Sequence, residues 1–472
     1  MRVAAITLCL LAGLTGTTAL AQSSDQQWAF CANESSSYSF DQQIAACSSV
    51  IQSGHESPQN LAIAYINRGN AYFAKQDLTR AFADFDQAIR LNPQYAEAYF
   101  GRGTAYHAKQ DLTRAIADYD QAIRLNPQYA DAYVNRGTAY HAKQDLTRAF
   151  ADYDQAIRLN PQFAPAYYNR GNAYFAQQDL TRAIADFDQA IQLDPQDAGA
   201  YVGRGNAYLA KQDLTRAIAD YDQAIRLDPQ YAEAYALRAS AYQDKQDLTR
   251  AIADYDQAIR LDPQYAEAYG NRGNAYFAKQ DLTRAIADYN QAIRLNPPEL
   301  AATYTNRGNA YRAKQDLTRA IADYDQAIRL DPQYALAYFN RAMAFRAKQD
   351  LPRAIADYDE AIRLNPRFAK AYNNRGAAYE AKQDLTSAIA DYDQAIRLNP
   401  KFAEAYVNRG NAYRAKQDLS RAIADYDEAI RLSPQYAAAY YNRGLALIAL
   451  GRKIDGEVEI AKAKSIDPRL GQ

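Results

Sequence analysis

The sequence predicts an all-α solenoid, a stack of antiparallel helix pairs, and three observations carry that prediction. A phrase recurs about every 34 residues, twelve times over. One copy reads AEAYFGRGTAYHAKQDLTRAIADYDQAIRLNPQY, from Ala96 to Tyr129, and the series runs to Leu470. Within each copy, small and aromatic residues fall at the three-to-four spacing of one helix face on two separate stretches. Each copy closes on a proline, Pro127 in this one, which cannot continue a helix. A helix pair of this kind leaves an apolar face that only its neighbour covers, so stacking is obligatory. A single core for 472 residues would be unusually large, whereas an array grows by adding neighbours.

The elements follow in order. Residues 1–21 read as a secretory signal peptide. Arg2 gives the positive start, Val3 to Leu14 the short apolar core, and Ala19-Leu20-Ala21 the small-x-small cleavage site. That apolar run is too short for a good membrane span. Cys9 lies within it, preceded by Leu8 and not by the small residue of a lipoprotein signal.

Residues 22–61 read as an N-terminal cap, a degenerate repeat with a shortened first helix. Back-projection from Ala62 sets Cys47, Ile51 and Gly54 in the places of Ala115, Tyr119 and Ala122. Cys31 and Cys47, in an oxidising compartment, favour one disulfide over two free thiols. Ser57-Pro58 suits a helix start, serine as cap and proline in the first turn.

Seven copies span 62–300 and five span 301–470, separated by Asn296-Pro297-Pro298-Glu299-Leu300, a junction one residue longer than the others. In the copy from Ala96, the first helix runs to about Lys109 with Tyr99, Gly103 and Tyr106 on one face. Gln110-Asp111 interrupts, and Asp111 is a sensible N-cap for the second helix. That helix carries Ala115, Tyr119 and Ala122 on one stripe, with Ile116 and Ile123 beside it. At the far end Glu457, Glu459, Lys462 and Lys464 make the last helix more polar, as a cap requires.

The aromatic, Gly, Tyr, Ala, aromatic, Ala, Pro series resembles the tetratricopeptide repeat, over residues 62–470. The resemblance implies a right-handed superhelix whose first helices line a concave groove that binds peptides or protein segments. One departure stands out. The family usually has glycine between the helices, where this chain has Gln110 and its counterparts until Gly451. A left-handed turn at a non-glycine residue costs about 1 kcal/mol.

An arginine stands at one place in every copy, from Arg68 and Arg102 through Arg409 to Arg443, and an acid follows sixteen residues later. On antiparallel helices these places meet, so a partly buried Arg–carboxylate pair is expected in each repeat. The alternative pairs each acid with an arginine four residues earlier, as Arg114 with Asp118. Two copies favour the first reading: Ser387 and Asp455 replace that nearer arginine while Asp391 and Glu459 remain.

Just before the arginine stand Asn67, Asn135, Asn169, Asn271, Asn306, Asn340, Asn374, Asn408 and Asn442; the exceptions are Gly101, Gly203 and Leu237. Such a row is similar to the one in the repeats of O-linked N-acetylglucosamine transferase. That resemblance implies binding of extended peptide backbones, because an amide both donates and accepts. The alternative is that each amide satisfies a local contact. At freely varying places that the resemblance turns to the groove, early copies carry aromatics and histidine, and later ones Arg312, Arg346 and Arg414. This gradient suits a partner with apolar anchors and acidic groups. Drift at unconstrained exposed places is the alternative.

A formal net charge of -1, with both signs interspersed, excludes a basic nucleic-acid stripe. His107 and His141 occupy equivalent places but lack a third ligand, so no metal and no cofactor are expected. No Gly-rich phosphate loop and no nucleophile–base pair is present, and the chain reads as non-enzymatic. The expected function is an exported scaffold, periplasmic or secreted as in similar repeat proteins of Gram-negative bacteria, holding an extended protein or peptide segment. The alternative is a spacer or assembly subunit of a cell-envelope machine, such as an enzyme complex or a polysaccharide-export assembly.

Overall fold

A computed structural model describes residues 24–33 and 38–470; the expected leader, residues 1–21, lies outside them. Among the described residues there are 26 helices and no strand. The chain divides into two compact units, one ending at Leu227 and the other beginning at Asp228. Each is a stack of helix pairs in which consecutive helices pack together.

The first unit opens on the cap. Helices α1 (Ser24–Ala32) and α2 (Phe40–Gln52) are joined by a Cys31–Cys47 disulfide. Ser39 and Gln42 form a capping box at the start of α2. Gly54 does not take the helical place that back-projection expects. It lies beyond α2 at φ 71, a left-handed backbone suited to the turn that ends the helix. Helix α3 (Pro58–Ala74) starts ahead of Ala62, because the Ser57 hydroxyl accepts the Asn60 N–H and Pro58 fills the first position. Its partner is α4 (Leu78–Leu91), and the pairs continue to Leu214–Leu227.

The second unit runs in pairs from Ala232–Asp244 to Lys453–Ile466. The long junction lies inside it: Leu282–Leu295 ends on Asn296 at φ 55, and the next helix is Leu300–Ala313. The chain therefore absorbs the extra residue without parting there, and the helices on either side stay packed.

Between the helices of each complete pair through Gln417, the glutamine sits at φ 60–65, and Gly451 takes this place in the last copy at φ 89. Asp111 N–H donates to the Tyr106 carbonyl at 2.9 Å across Gln110, the closure that ends a helix on a left-handed residue. Asp111 then caps the next helix by accepting the Arg114 N–H. Alanines at repeated places are fully buried around Tyr119 and its equivalents. Gly103 allows the closest approach, since a Cβ there would stand 2.9 Å from the Tyr119 ring. Within each unit successive first helices touch one another, while second helices touch only first helices.

The register arginine makes three charge-assisted bonds. Arg102 donates Nε and Nη2 to Asp118 at 2.8 and 2.7 Å, the expected cross-helix pair, and Nη1 to Asp86 of the preceding pair at 2.7 Å. The same pattern recurs at Arg136, Arg170, Arg204, Arg272, Arg341, Arg375 and Arg409. Arg114 pairs instead with its own helix cap, Asp111, so the four-residue alternative is not realised. The bond to Asp118 holds the Arg102 guanidinium above its ordinary value against the cost of burial, with Asp86 adding to it. At the cap, the Ser48 hydroxyl takes the third bond of Arg68. At Arg307 an amide oxygen, from Asn290, replaces the carboxylate.

Removing one partner of a buried pair leaves an uncompensated charge. Arg272→Met should therefore destabilise the second unit by about 3–5 kcal/mol in denaturant titration, and adding Asp288→Leu should restore most of that loss.

Candidate functional site

Where the second helix carries a tyrosine at the place of Tyr119, its ring is buried, and in most of these pairs the hydroxyl reaches back to the first helix. Tyr119 and Tyr153 donate to Thr104 and Thr138 at 3.4 Å, and Tyr289, Tyr324 and Tyr426 donate to Asn274, Asn309 and Asn411 at 2.8 Å. Burial pushes the Tyr119 hydroxyl up to about 12 despite bonds with Thr104 and Asn135. The accepting residue lies two places after the register arginine, a polar row that the sequence reading passed over.

The asparagine row is tied to this same network. Asn135 donates to Thr104 at 3.5 Å, and Asn306 donates to Asn274 at 3.1 Å. Asn169 accepts from Thr138 and donates to the Pro165 carbonyl, and Asn408 donates to Asn373. Asn374 accepts from Asn373. Asn271 is exposed, Asn67 and Asn442 are half-buried, and Asn340 is only 6 % exposed. Several of these amides are thus partly engaged locally, rather than standing as a free ladder.

Two of the three exceptions to the row have a physical cause. Gly101 follows Phe85 and Gly203 follows Phe187, the two complete copies whose buried ring lacks a hydroxyl. A Cβ on either glycine would meet that ring at 2.5 or 2.6 Å. A phenylalanine offers an amide nothing to bond, and its ring occupies the room a side chain would need. This co-occurrence was visible in the sequence.

Two copies in the second unit break the tyrosine rule. Before Tyr358 the accepting place is Met343, and the Tyr358 hydroxyl is buried without a hydrogen-bond partner. Before Tyr392 it is Ala377, and Tyr392 donates instead to Glu380 at 2.8 Å. Burial raises the Glu380 carboxyl above its usual range, against the bond from Tyr392 and the charge of Arg414.

Arg312, Arg346 and Arg414 occupy the place of Glu380 in their own copies and are half-buried. None of the three forms an ion pair among the described residues, and the Nε groups of Arg312 and Arg414 are buried and unpartnered. The positive charges of Arg346 and Arg312 both bear on the Tyr358 hydroxyl. The structure therefore sets an unpartnered tyrosine hydroxyl among arginines that no carboxylate neutralises. His107 and His141 are half-buried, and burial lowers both from their ordinary value. No group of three metal-ligating side chains occurs among the described residues, and no described helix is long and apolar enough to cross a membrane.

Because folded Glu380 holds its proton more tightly than the unfolded chain does, stability falls as pH rises from the ordinary glutamate value through the raised one. Glu380→Gln should abolish that part of the pH dependence in thermal unfolding curves recorded across the acid range.

Comparison with known proteins places these features in a family. Profiles described as tetratricopeptide repeat match residues 168–232, 236–299, 369–402 and 391–424. A profile described as TPR repeat matches 69–110, 103–144, 137–178, 308–345, 343–383 and 410–451. No curated protein matches the chain in sequence. Among solved structures it is similar to the APC/C hetero-tetramer Cut9-Hcn1, with a TM-score of 0.48 and 14% identity, covering 90% of this chain and 96% of that one. Yeast Tom70 gives 0.41 and 17%, covering 88% and 97%. MamA gives 0.32 and 25%, covering 34% and 95%.

Proposed function

The chain belongs to the tetratricopeptide-repeat family, and on that premise we propose that it is a non-enzymatic, exported scaffold that holds an extended acidic segment of another protein. The segment lies along the first helices of the second unit. One observation carries the reading: the Tyr358 hydroxyl and the Arg312 Nε are buried on that face without a hydrogen-bond partner, and neither Arg312 nor Arg346, whose charges bear on that hydroxyl, is ion-paired among the described residues. A buried donor left unmade costs about 1–3 kcal/mol, so a carboxylate arriving from a partner gains more here than at an exposed arginine. Asn306, Asn340 and Asn374 flank the same stretch and supply amides for the segment's main chain. Arg414 extends the positive face beyond Glu380. First helices that touch one another form the inner row of each stack, where an extended ligand meets several repeats at once.

Export is supported by the leader-like start of the chain and by the Cys31–Cys47 disulfide, a bond that persists in oxidising compartments. A protein partner accords with the family, whose members act by binding other proteins.

The test is crosslinking in the native envelope followed by identification of what is captured. Replacing Asn306, Arg312, Asn340 and Arg346 together by alanine should abolish capture while the circular dichroism spectrum stays helical. Capture that survives these changes removes the groove reading. Function lost on deleting residues 164–197, but kept in the alanine variant, identifies the chain as a spacer instead.

A further inference from the structure

We infer that the first-helix face carries, beside the arginine stretch, a separate pocket at Gly270 that takes one basic side chain of the bound segment. The inference rests on the groove reading above and adds to it a specific anchor of opposite charge.

Two departures from the repeat coincide at this pocket. The place of Gly270 is filled in other copies by Phe100, Val134, Tyr168 or Phe339. Phe100 packs there against Tyr119 and Tyr129, with ring centres 6.0 and 4.9 Å away, and Phe339 packs likewise against Tyr358 and Phe368. A Cβ built on Gly270 meets nothing within 4 Å. The long junction then brings Pro297 and Glu299 to the side of the opening. Together they leave a cavity of about 330 Å³. Its walls come from the helices Ala266–Ala278 and Leu300–Ala313, with Tyr289 at its base.

The lining selects charge. Glu267 and Glu299 both border the cavity, no basic residue does, and neither carboxylate forms an ion pair among the described residues. Asn271 is exposed beside them. Deeper in, the Asn274 oxygen already accepts from Tyr289 and Asn306. This spends the hydroxyl's proton, so the oxygen of Tyr289, which lines the cavity, can only accept. Two unpaired carboxylates and further oxygen acceptors suit an extended donor-rich cation, an arginine or lysine side chain, and oppose an acidic one. An apolar side chain of equal length fills the space but leaves the carboxylates unpaired.

Saturation-transfer NMR of the full chain tests this with three probes: the acetyl methylamides of arginine, norleucine and glutamate. The arginine probe should bind, and the other two should bind roughly tenfold more weakly or not at all. Gly270→Phe fills the cavity with a residue that Phe100 and Phe339 show the repeat accommodates, and it should abolish binding of the arginine probe. Glu267→Gln with Glu299→Gln should do the same without filling the space. Arg346→Ala, which weakens capture of an acidic segment, should leave the arginine probe's binding unchanged. The assignment is overturned if the arginine probe does not bind, binds Gly270→Phe as it binds the wild type, or binds no better than norleucine. Any of those results leaves the groove reading to stand or fall on partner capture alone.

Discussion

The register arginine is the interaction on which the rest of the structure depends. One guanidinium grips a buried carboxylate sixteen residues ahead and a second carboxylate sixteen residues behind, so it ties each pair internally and to the pair before it. Such a group is costly to take from water, and it is tolerated because its fork is filled on both sides. Its service is geometric. Sliding either helix by one turn would strand a carboxylate, which fixes the register of the small-residue contacts around Tyr119. With register held on the inner surfaces of the pairs, the outward places of the first helices are free to differ.

A second network couples that free face to the core. The buried tyrosine hydroxyl ends against a threonine or asparagine on the first helix, and the asparagine row joins several of these ends. Where the ring is phenylalanine, the amide disappears and glycine takes its place. Where the acceptor becomes Met343 or Ala377, charge appears on the same face as Arg346 and Glu380. The breaks in the polar network thus fall within the charged stretch from Arg312 to Arg414, beside the unpartnered Tyr358 hydroxyl. A scaffold built from near-identical copies differentiates itself by such local exceptions.

Much of this was legible in the sequence. The period gave the helix pairs, Gln110 and its counterparts marked the left-handed turns, and the sixteen-residue spacing identified Asp118 as the partner of Arg102. The third bond, to Asp86, was not read, because that acid looks like any solvated residue on a repeated second helix. The asparagine row left a ligand role and a local contact both open, since one copy alone does not show that a tyrosine hydroxyl bonds the amide. The pairs Phe85–Gly101 and Phe187–Gly203 held that information. The opening at Gly270 was out of reach, because it depends on how a missing side chain and a longer junction meet in space.

The central claim is that the second helices hold register while the first helices meet the partner. Site-specific photo-crosslinking in living cells tests it most directly, with the photoreactive residue at Lys370 on a first helix or at Arg363 on the preceding second helix, both exposed. An adduct with a partner protein from position 370, and none from position 363, is the result the account predicts. Adducts from position 363 alone would contradict it, and would place recognition on the second helices.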